Sequence, residues 1–291
     1  MKTLFKIFCG VCLVALACSM RAQVPFHKGV NLDSWLQDKN VGLTQFTRCT
    51  KQDFINIKSL GCDVIRLPIN LHFMTNGAPD YTIDPLLFEY LDSAVVWAEG
   101  LKIYLILDNH TLTYANTDPG VGTILTKIWP QMANRYKGHS SYIFYEVLNE
   151  PYGITTKVWG QIQQKAIDAI RAIDTTHTII IGGSAWNSYN ELQNLPVYSD
   201  TNLIYTFHFY DPFIFTTQGE DAAGLESLAG VPFPYDKNRM PASPASLKGT
   251  WAEILLNDYY KTETVDSIKK LLDVAIAFKR ARKVPVYCGE F

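Results

Sequence analysis

The sequence predicts an α/β fold, a (β/α)8 TIM barrel that stops after its seventh strand. Three observations predict it. Short runs rich in Val, Ile, Phe and Tyr alternate with helical patterns, which is the rhythm of βαβ units and a parallel sheet. Most of these runs lack a strict apolar-polar alternation, as expected of strands covered on both faces. The chain has 291 residues, 47% of them hydrophobic, enough to bury one large core, and parallel barrels run to this size as a single domain.

In order, the first segment stands outside the fold. Lys2 and Lys6 precede an apolar run from Ile7 to Ala17, followed by small residues, which is the layout of a secretory signal peptide over residues 1–22 with Gln23 first in the mature chain. A rival reading makes Cys18 the lipid-bearing residue of a surface lipoprotein. Either reading exports the protein, to a secreted or periplasmic location. Residues 23–291 are then expected to form one barrel, incomplete at its C-terminal end. Seven strands are expected: Phe26 to Leu32, Asp63 to Ile69, Lys102 to Leu107, Ile143 to Leu148, Thr178 to Ile181, Leu203 to Phe207, and Val284 to Cys288. Between them, Thr50 opens a helix that Gly61 ends, with Phe54 and Ile57 facing inward. Asp84 caps a second helix with Pro85 at its first position, and Leu87, Leu91, Ala94, Val95 and Ala98 form its apolar stripe up to Gly100. Trp159, Ile162, Ala166 and Ile170 mark a third helix, and Ile268, Leu271, Leu272, Ala275 and Phe278 mark the last. From Phe209 to about Lys261 no long amphipathic helix is expected; a connection of that length is usually functional, and it leaves the sixth strand where it can wall a cleft. An eighth strand is missing, so the first and last strands are expected to keep unpaired edges.

Composition excludes several partners. A formal charge of −2 supplies no basic field for nucleic acid or an anionic membrane surface. The mature chain keeps Cys49, Cys62 and Cys288, too few for a disulfide scaffold, and small buried residues are the simpler reading. No His-Glu-x-x-His, paired Cys spacing or Gly-rich phosphate loop occurs, so neither a metal nor a cofactor is expected. Aromatics make up 13% of the chain; Trp186, Phe213, Phe215 and Trp251 carry flat faces suited equally to sugar rings and to packing.

Two strand ends offer a glutamate, and in parallel barrels catalytic groups sit where strands end. Glu150 follows the fourth strand, with Pro151 blocking its continuation; Glu290 follows the seventh, with Gly289 free to bend the exit. Retaining cleavage of a glycosidic bond needs such a pair, one protonated and one ionised. Arg66 near Glu290 would lower that carboxyl's pKa, and Glu150 beside a second carboxylate would have its own raised. Asn149 can donate to a sugar 2-hydroxyl, and Tyr210 to Glu290. Glu146, on the same strand as Glu150, reads as a structural carboxylate. Each residue alone has a plain structural explanation; their order across five strand ends is what points to catalysis.

With these residues in view, the sequence resembles glycoside hydrolase family 5, the cellulase family of retaining (β/α)8 glycosidases, over nearly all of the mature chain. Asn149-Glu150-Pro151 is similar to the family's acid/base motif, and Gly289-Glu290-Phe291 to its nucleophile. Arg66 in Val64-Ile65-Arg66-Leu67-Pro68 resembles the family arginine that holds the nucleophile ionised. Asp108-Asn109-His110 resembles the Asp-x-His segment whose His borders the sugar attacked, and His208-Phe209-Tyr210 the His-x-Tyr that lines the cleaved site. Gly29-Val30-Asn31-Leu32 with Trp35 looks like the family opening, which places Trp35 with the substrate-binding residues. The family's Trp after the eighth strand has no counterpart here. The resemblance implies a monomeric endo-β-1,4-glucanase acting on a plant β-glucan by double displacement. A β-mannanase or another β-glucanase of the family is the alternative. Two readings of other classes are an inactive glycan-binding fragment and a metal-dependent barrel hydrolase.

Overall fold

A computed structural model describes residues 23–111, 120–262 and 264–291. The expected signal peptide, residues 1–22, and Cys18 lie outside the described residues. Seven parallel strands form one sheet in chain order: β1 Gly29–Asn31, β2 Val64–Ile69, β3 Tyr104–Asn109, β4 Ile143–Glu146, β5 Thr178–Gly182, β6 Leu203–His208 and β7 Val286–Glu290. The helices are α1 Lys51–Ser59, α2 Pro85–Leu101, α3 Val121–Tyr136, α4 Thr156–Arg171, a single turn α5 at Ser184–Asn187, another, α6, at Phe213–Thr216, then α7 Trp251–Thr262 and α8 Val265–Arg282. The sheet curls into a nearly closed seven-stranded barrel. The strands from β2 to β6 are buried almost throughout, whereas β1 and β7 are half-covered and flank a cavity of about 520 Å³ lined by Phe26, Asn31, Val64, Arg66, Tyr287 and Cys288 among others. The Asn31 amide crosses that seam and donates to the Gly289 carbonyl at 3.1 Å.

Strand parity sorts the side chains. Ile65, Leu67, Leu105, Leu107, Ile143, Tyr145, Ile179 and Ile181 join the core beneath the helices, with the α2 stripe Leu87, Leu91, Ala94, Val95 and Ala98 packed against it. Residues of the other parity fill the barrel: Val64, Ile106, Phe144, Ile180 and Ile204 form a floor closed from below by Phe26, whose ring meets Phe144 and Tyr287 edge-on at 5.7 and 5.4 Å. One step higher, the inward parity gives Arg66, Asp108 and Glu146, all buried.

Local signals behave largely as the sequence predicts. Asp84 accepts from Leu86 N at 2.9 Å with Pro85 beginning α2; Gly100 stays helical, and the left-handed turn falls on Lys102 at φ 53°. Asp53 accepts from Thr50 N at 2.7 Å at the start of α1, and Gly61 takes φ +81° after its end, where a side chain would be strained. The segment after β6 differs from expectation: α7 is a 12-residue helix there. Its apolar pattern is hard to read because Trp251, Ile254 and Leu255 are exposed while Ala252, Leu256 and Tyr259 are buried in a separate small core. Cys49, Cys62 and Cys288 are free.

His72 lies buried just beyond β2, its Nε2 3.2 Å from the Asn109 amide nitrogen, and burial pushes its pKa down to about 4. The unfolded chain therefore takes up a proton that the folded chain refuses between pH 6.5 and about 4, so this contribution to stability is full above pH 6.5 and disappears as pH falls. In urea titrations, the stability advantage of the parent over His72→Gln is expected to shrink from pH 7 to pH 5. A pH-independent advantage would contradict the assignment.

Candidate active site

The Arg66 guanidinium, 3% exposed, organises the upper end of the barrel. Its Nε and Nη2 donate to the two oxygens of Glu146 at 2.9 and 2.8 Å, a bidentate fork. Nη2 also reaches Asn149 Oδ1 at 2.7 Å and Asp108 Oδ2 at 3.0 Å, and Nη1 donates to Asn31 Oδ1 at 3.1 Å and Glu290 Oε1 at 2.7 Å. Strands β1, β2, β3, β4 and β7, or the residues just past them, all meet on one side chain.

Glu290 reaches this cluster through an irregularity. Tyr287 faces the barrel, so strict alternation would turn Glu290 outward. The register slips between Phe207 and His208, pairing Cys288 with Phe207 and Glu290 with His208, and the extra residue is Gly289. A Cβ on Gly289 would lie 2.7 Å from Thr206 Oγ1 and 3.4 Å from His208 Nε2, so only glycine fits this close approach. Glu290 thus ends the strand rather than following it, and the glycine serves a bulge and not an exit bend.

At Glu290, burial alone pushes the pKa up, but the charges of His208, Arg66 and His110 and the Tyr210 hydroxyl, which donates to Oε2 at 2.9 Å, together hold it below the ordinary carboxylate range. Glu146 goes the other way: burial and the nearby Asp108 outweigh Arg66 and push its pKa up. Burial would lower the His110 pKa, but Asp108, whose Oδ2 is 2.6 Å from Nδ1, raises it. His208 stands between the two rim glutamates, its Nδ1 2.7 Å from Glu150 Oε1 and 3.5 Å from Glu290 Oε2. One oxygen each of Glu150 and Glu290 and a His208 ring nitrogen lie within 4.8 Å of one another. That trio has the donor types of a metal site, yet Glu290 already accepts from Arg66 and Tyr210. The Asn149 oxygen is engaged by Arg66, which turns its amide nitrogen toward His110 Nε2 at 3.4 Å.

Of the residues singled out from sequence, Arg66, His110, Asn149, Glu150, His208, Tyr210 and Glu290 converge at one rim. Trp35 does not. It is 1% exposed, stacked on Trp97 at 6.2 Å and 12° and edge-on to Tyr90, so it packs α2 against the β1 loop and has no face for a sugar. Asp108 and Glu146 were not singled out as site residues, although their inward parity with Arg66 marked them. Tyr152 was also missed: its ring stacks on Trp186 at 5.4 Å and 10°, two residues from Glu150. Trp186, with Ala185 and Asn187, sits at positive φ near 55° and donates its backbone N–H to Pro151 O at 3.1 Å, so a strained turn holds an exposed indole beside the fourth-strand loop.

The family model described as cellulase (glycosyl hydrolase family 5) matches residues 23–291. Endoglucanase 3 of Fibrobacter succinogenes is 28% identical over 93% of the chain, which spans 45% of that protein's length. Endoglucanase C of Acetivibrio thermocellus is 30% identical over 92% of the chain and is itself covered over 82% of its length. Among solved structures, endoglucanase Cel5A of Thermotoga maritima superposes with a TM-score of 0.66 at 25% identity, covering 91% of this chain and 89% of that one. The same enzyme has been crystallised with cellobiose and with mannotriose.

Removing Arg66 leaves Asp108 and Glu146 buried without their counter-charge. Arg66→Ala is expected to lower unfolding free energy by about 3–5 kcal/mol in denaturant titration. A loss below about 1 kcal/mol, the size of a surface pair, would show that the cluster is not held by this guanidinium.

Proposed function

The chain belongs to glycosyl hydrolase family 5, and from that membership we propose that it is an endo-β-1,4-glucanase that cleaves β-glucan by double displacement. The observation that carries the reading is the pair Glu150 and Glu290, on one rim, with an oxygen of each within 4.8 Å. Retaining glycosidases place their carboxyl groups about 5–5.5 Å apart, and inverting ones leave room for a water. Glu290, kept ionised by His208, Arg66, His110 and Tyr210, attacks the anomeric carbon and forms a glycosyl ester, while Glu150 gives its proton to the departing glycosidic oxygen. Glu150 then takes a proton from water, the water oxygen bonds to the anomeric carbon, and Glu290 leaves as carboxylate. Asn149, oriented by Arg66, is placed to donate to the 2-hydroxyl, and His110 borders the same sugar. Trp186 and Tyr152 offer a flat face next to the acid/base. No step needs a metal or cofactor.

A β-mannanase is the second reading, supported by the mannotriose complex of the Thermotoga relative. An inactive glycan binder is disfavoured because both carboxyl groups are present. The charged start and apolar run of residues 1–22 support export, secreted, periplasmic or anchored through Cys18, and the protein is read as a monomer. No helix among the described residues is long and apolar enough to cross a membrane.

Glu150→Gln and Glu290→Gln are each expected to lower carboxymethylcellulose hydrolysis at least ~10³-fold, with the product of the parent reaction retaining β configuration by NMR. Near-normal turnover in either variant would end the assignment, and faster cleavage of mannan than of glucan would favour the second reading. Rates unchanged by a chelator are expected, since the carboxylates act alone; inhibition reversed by added divalent ion would instead make Glu150, His208 and Glu290 a metal site. Because Glu290 must be ionised to attack, the acid limb of kcat/KM should lie below the ordinary carboxylate range and move to higher pH in His208→Asn. An unmoved limb would remove His208 from that role.

A further inference from the structure

His208 stands between the two rim glutamates, and the three side chains together offer one imidazole nitrogen and two carboxyl oxygens to the same point. Nδ1 lies 2.7 Å from Glu150 Oε1 and 3.5 Å from Glu290 Oε2, and a ligand atom from each residue lies within 4.8 Å of the others. The imidazole is almost fully buried, while the Glu150 and Glu290 side chains keep 19% and 13% of their surface open to solvent. An ion can therefore enter between the carboxyl groups and meet the nitrogen on the inner side.

The remaining valences permit it. His208 Nε2 is buried and has no hydrogen-bond partner among the described residues, so no donor there opposes the tautomer with its proton on Nε2, which leaves the Nδ1 lone pair facing the glutamates. Arg66 occupies Glu290 Oε1 and Tyr210 occupies Oε2, but a carboxylate oxygen accepts twice, so Oε2 keeps a lone pair. An imidazole with two carboxylates suits a first-row transition cation better than Mg²⁺ or Ca²⁺, which take oxygen ligands. Zn²⁺ holds such atoms at about 2.0–2.2 Å, which sets two ligands about 3–4 Å apart, and open zinc sites are built from three protein ligands. The separations at the rim differ from these by about 1 Å or less, within a small turn of the part-exposed Glu150 side chain.

We propose that Glu150, His208 and Glu290 bind one Zn²⁺, or a similar first-row divalent cation, as a reversible inhibitor seated at the cleavage point. The site stands on this geometry; its effect on turnover rests on the glucanase reading and adds to it control by metal ions. Coordination takes the Glu150 oxygen that gives its proton to the glycosidic oxygen, releases that proton to solvent, and engages the Glu290 lone pair that attacks the anomeric carbon. Ion and sugar thus exclude one another.

The test titrates ZnCl₂ calorimetrically into the protein, freed of metal by chelator and desalting, and into Glu150→Gln, His208→Asn, Glu290→Gln and the control His27→Gln, which alters an exposed histidine. The parent is expected to bind one Zn²⁺ per chain, each rim variant to lose affinity at least ~10-fold, and His27→Gln to match the parent. On hydroxyethylcellulose, a neutral polymer that does not sequester the ion, Zn²⁺ should raise KM and leave kcat unchanged, excess chelator should restore the rate, and equal Mg²⁺ or Ca²⁺ should have no effect. Absence of binding overturns the site, and so does parent-like binding in two or more folded rim variants, which would place the ion elsewhere. A loss of kcat at constant KM overturns it as well, because the ion would then not share the place of the sugar. Circular dichroism identifies a variant that has not folded, and the other two then decide. A parent that binds Zn²⁺ through these residues but cleaves no glucan would end the glucanase reading, an outcome distinct from an active parent that Zn²⁺ leaves uninhibited.

Discussion

The contact between Arg66 and its five acceptor residues is the constraint on which the site depends. A guanidinium has five N–H donors in one plane, and here they engage Glu146, Asp108, Asn149, Asn31 and Glu290. Burying three carboxyl groups around one cation is unfavourable unless the surplus negative charge is reduced. The structure divides it: the Glu146 pKa is pushed up by burial and by Asp108, the Glu290 pKa is held down by His208, Arg66 and His110, and Asp108 is shared with His110. The structural carboxyl is thus shifted toward its neutral form and the rim carboxyl toward its charged form. Geometry that stabilises the barrel also holds the Glu290 pKa down.

This arrangement depends on which way each strand turns its side chains. Arg66, Asp108 and Glu146 share a layer because parallel pairing keeps their inward parity aligned, directly above the apolar floor. Glu290 has the wrong parity and is brought in by the bulge at Gly289. A single extra residue decides whether that carboxylate meets Arg66 and Tyr210 or faces the helices, and the missing Cβ is what lets the strand pass Thr206.

Around this rigid centre the rim is built from less regular parts. Trp186 is presented by consecutive left-handed residues, and the segment after β6 packs around its own small core. The division is physically reasonable: the barrel fixes groups that must hold position to fractions of an ångström, and the loops carry surfaces whose ligands differ among proteins sharing one barrel.

By itself the sequence determined the seven strands within a few residues, the helix starts at Thr50 and Asp84, and the strand ends carrying Glu150 and Glu290, because burial periodicity, caps and proline act over a few neighbouring residues. It also marked Arg66, His110, Asn149, His208 and Tyr210, through motifs that sit at those same ends. Only the tertiary structure decided that Trp35 turns into the core against Trp97, that Trp251 begins a helix with an exposed apolar face, and that Glu290 enters the barrel through a bulge. Those outcomes depend on what lies across the fold: a tryptophan is core or surface according to its distant neighbours, and strand register is set by the partner strand. Local pattern cannot encode a contact between residues 35 and 97 or a slip against residue 207, and both fix what the rim presents to a sugar.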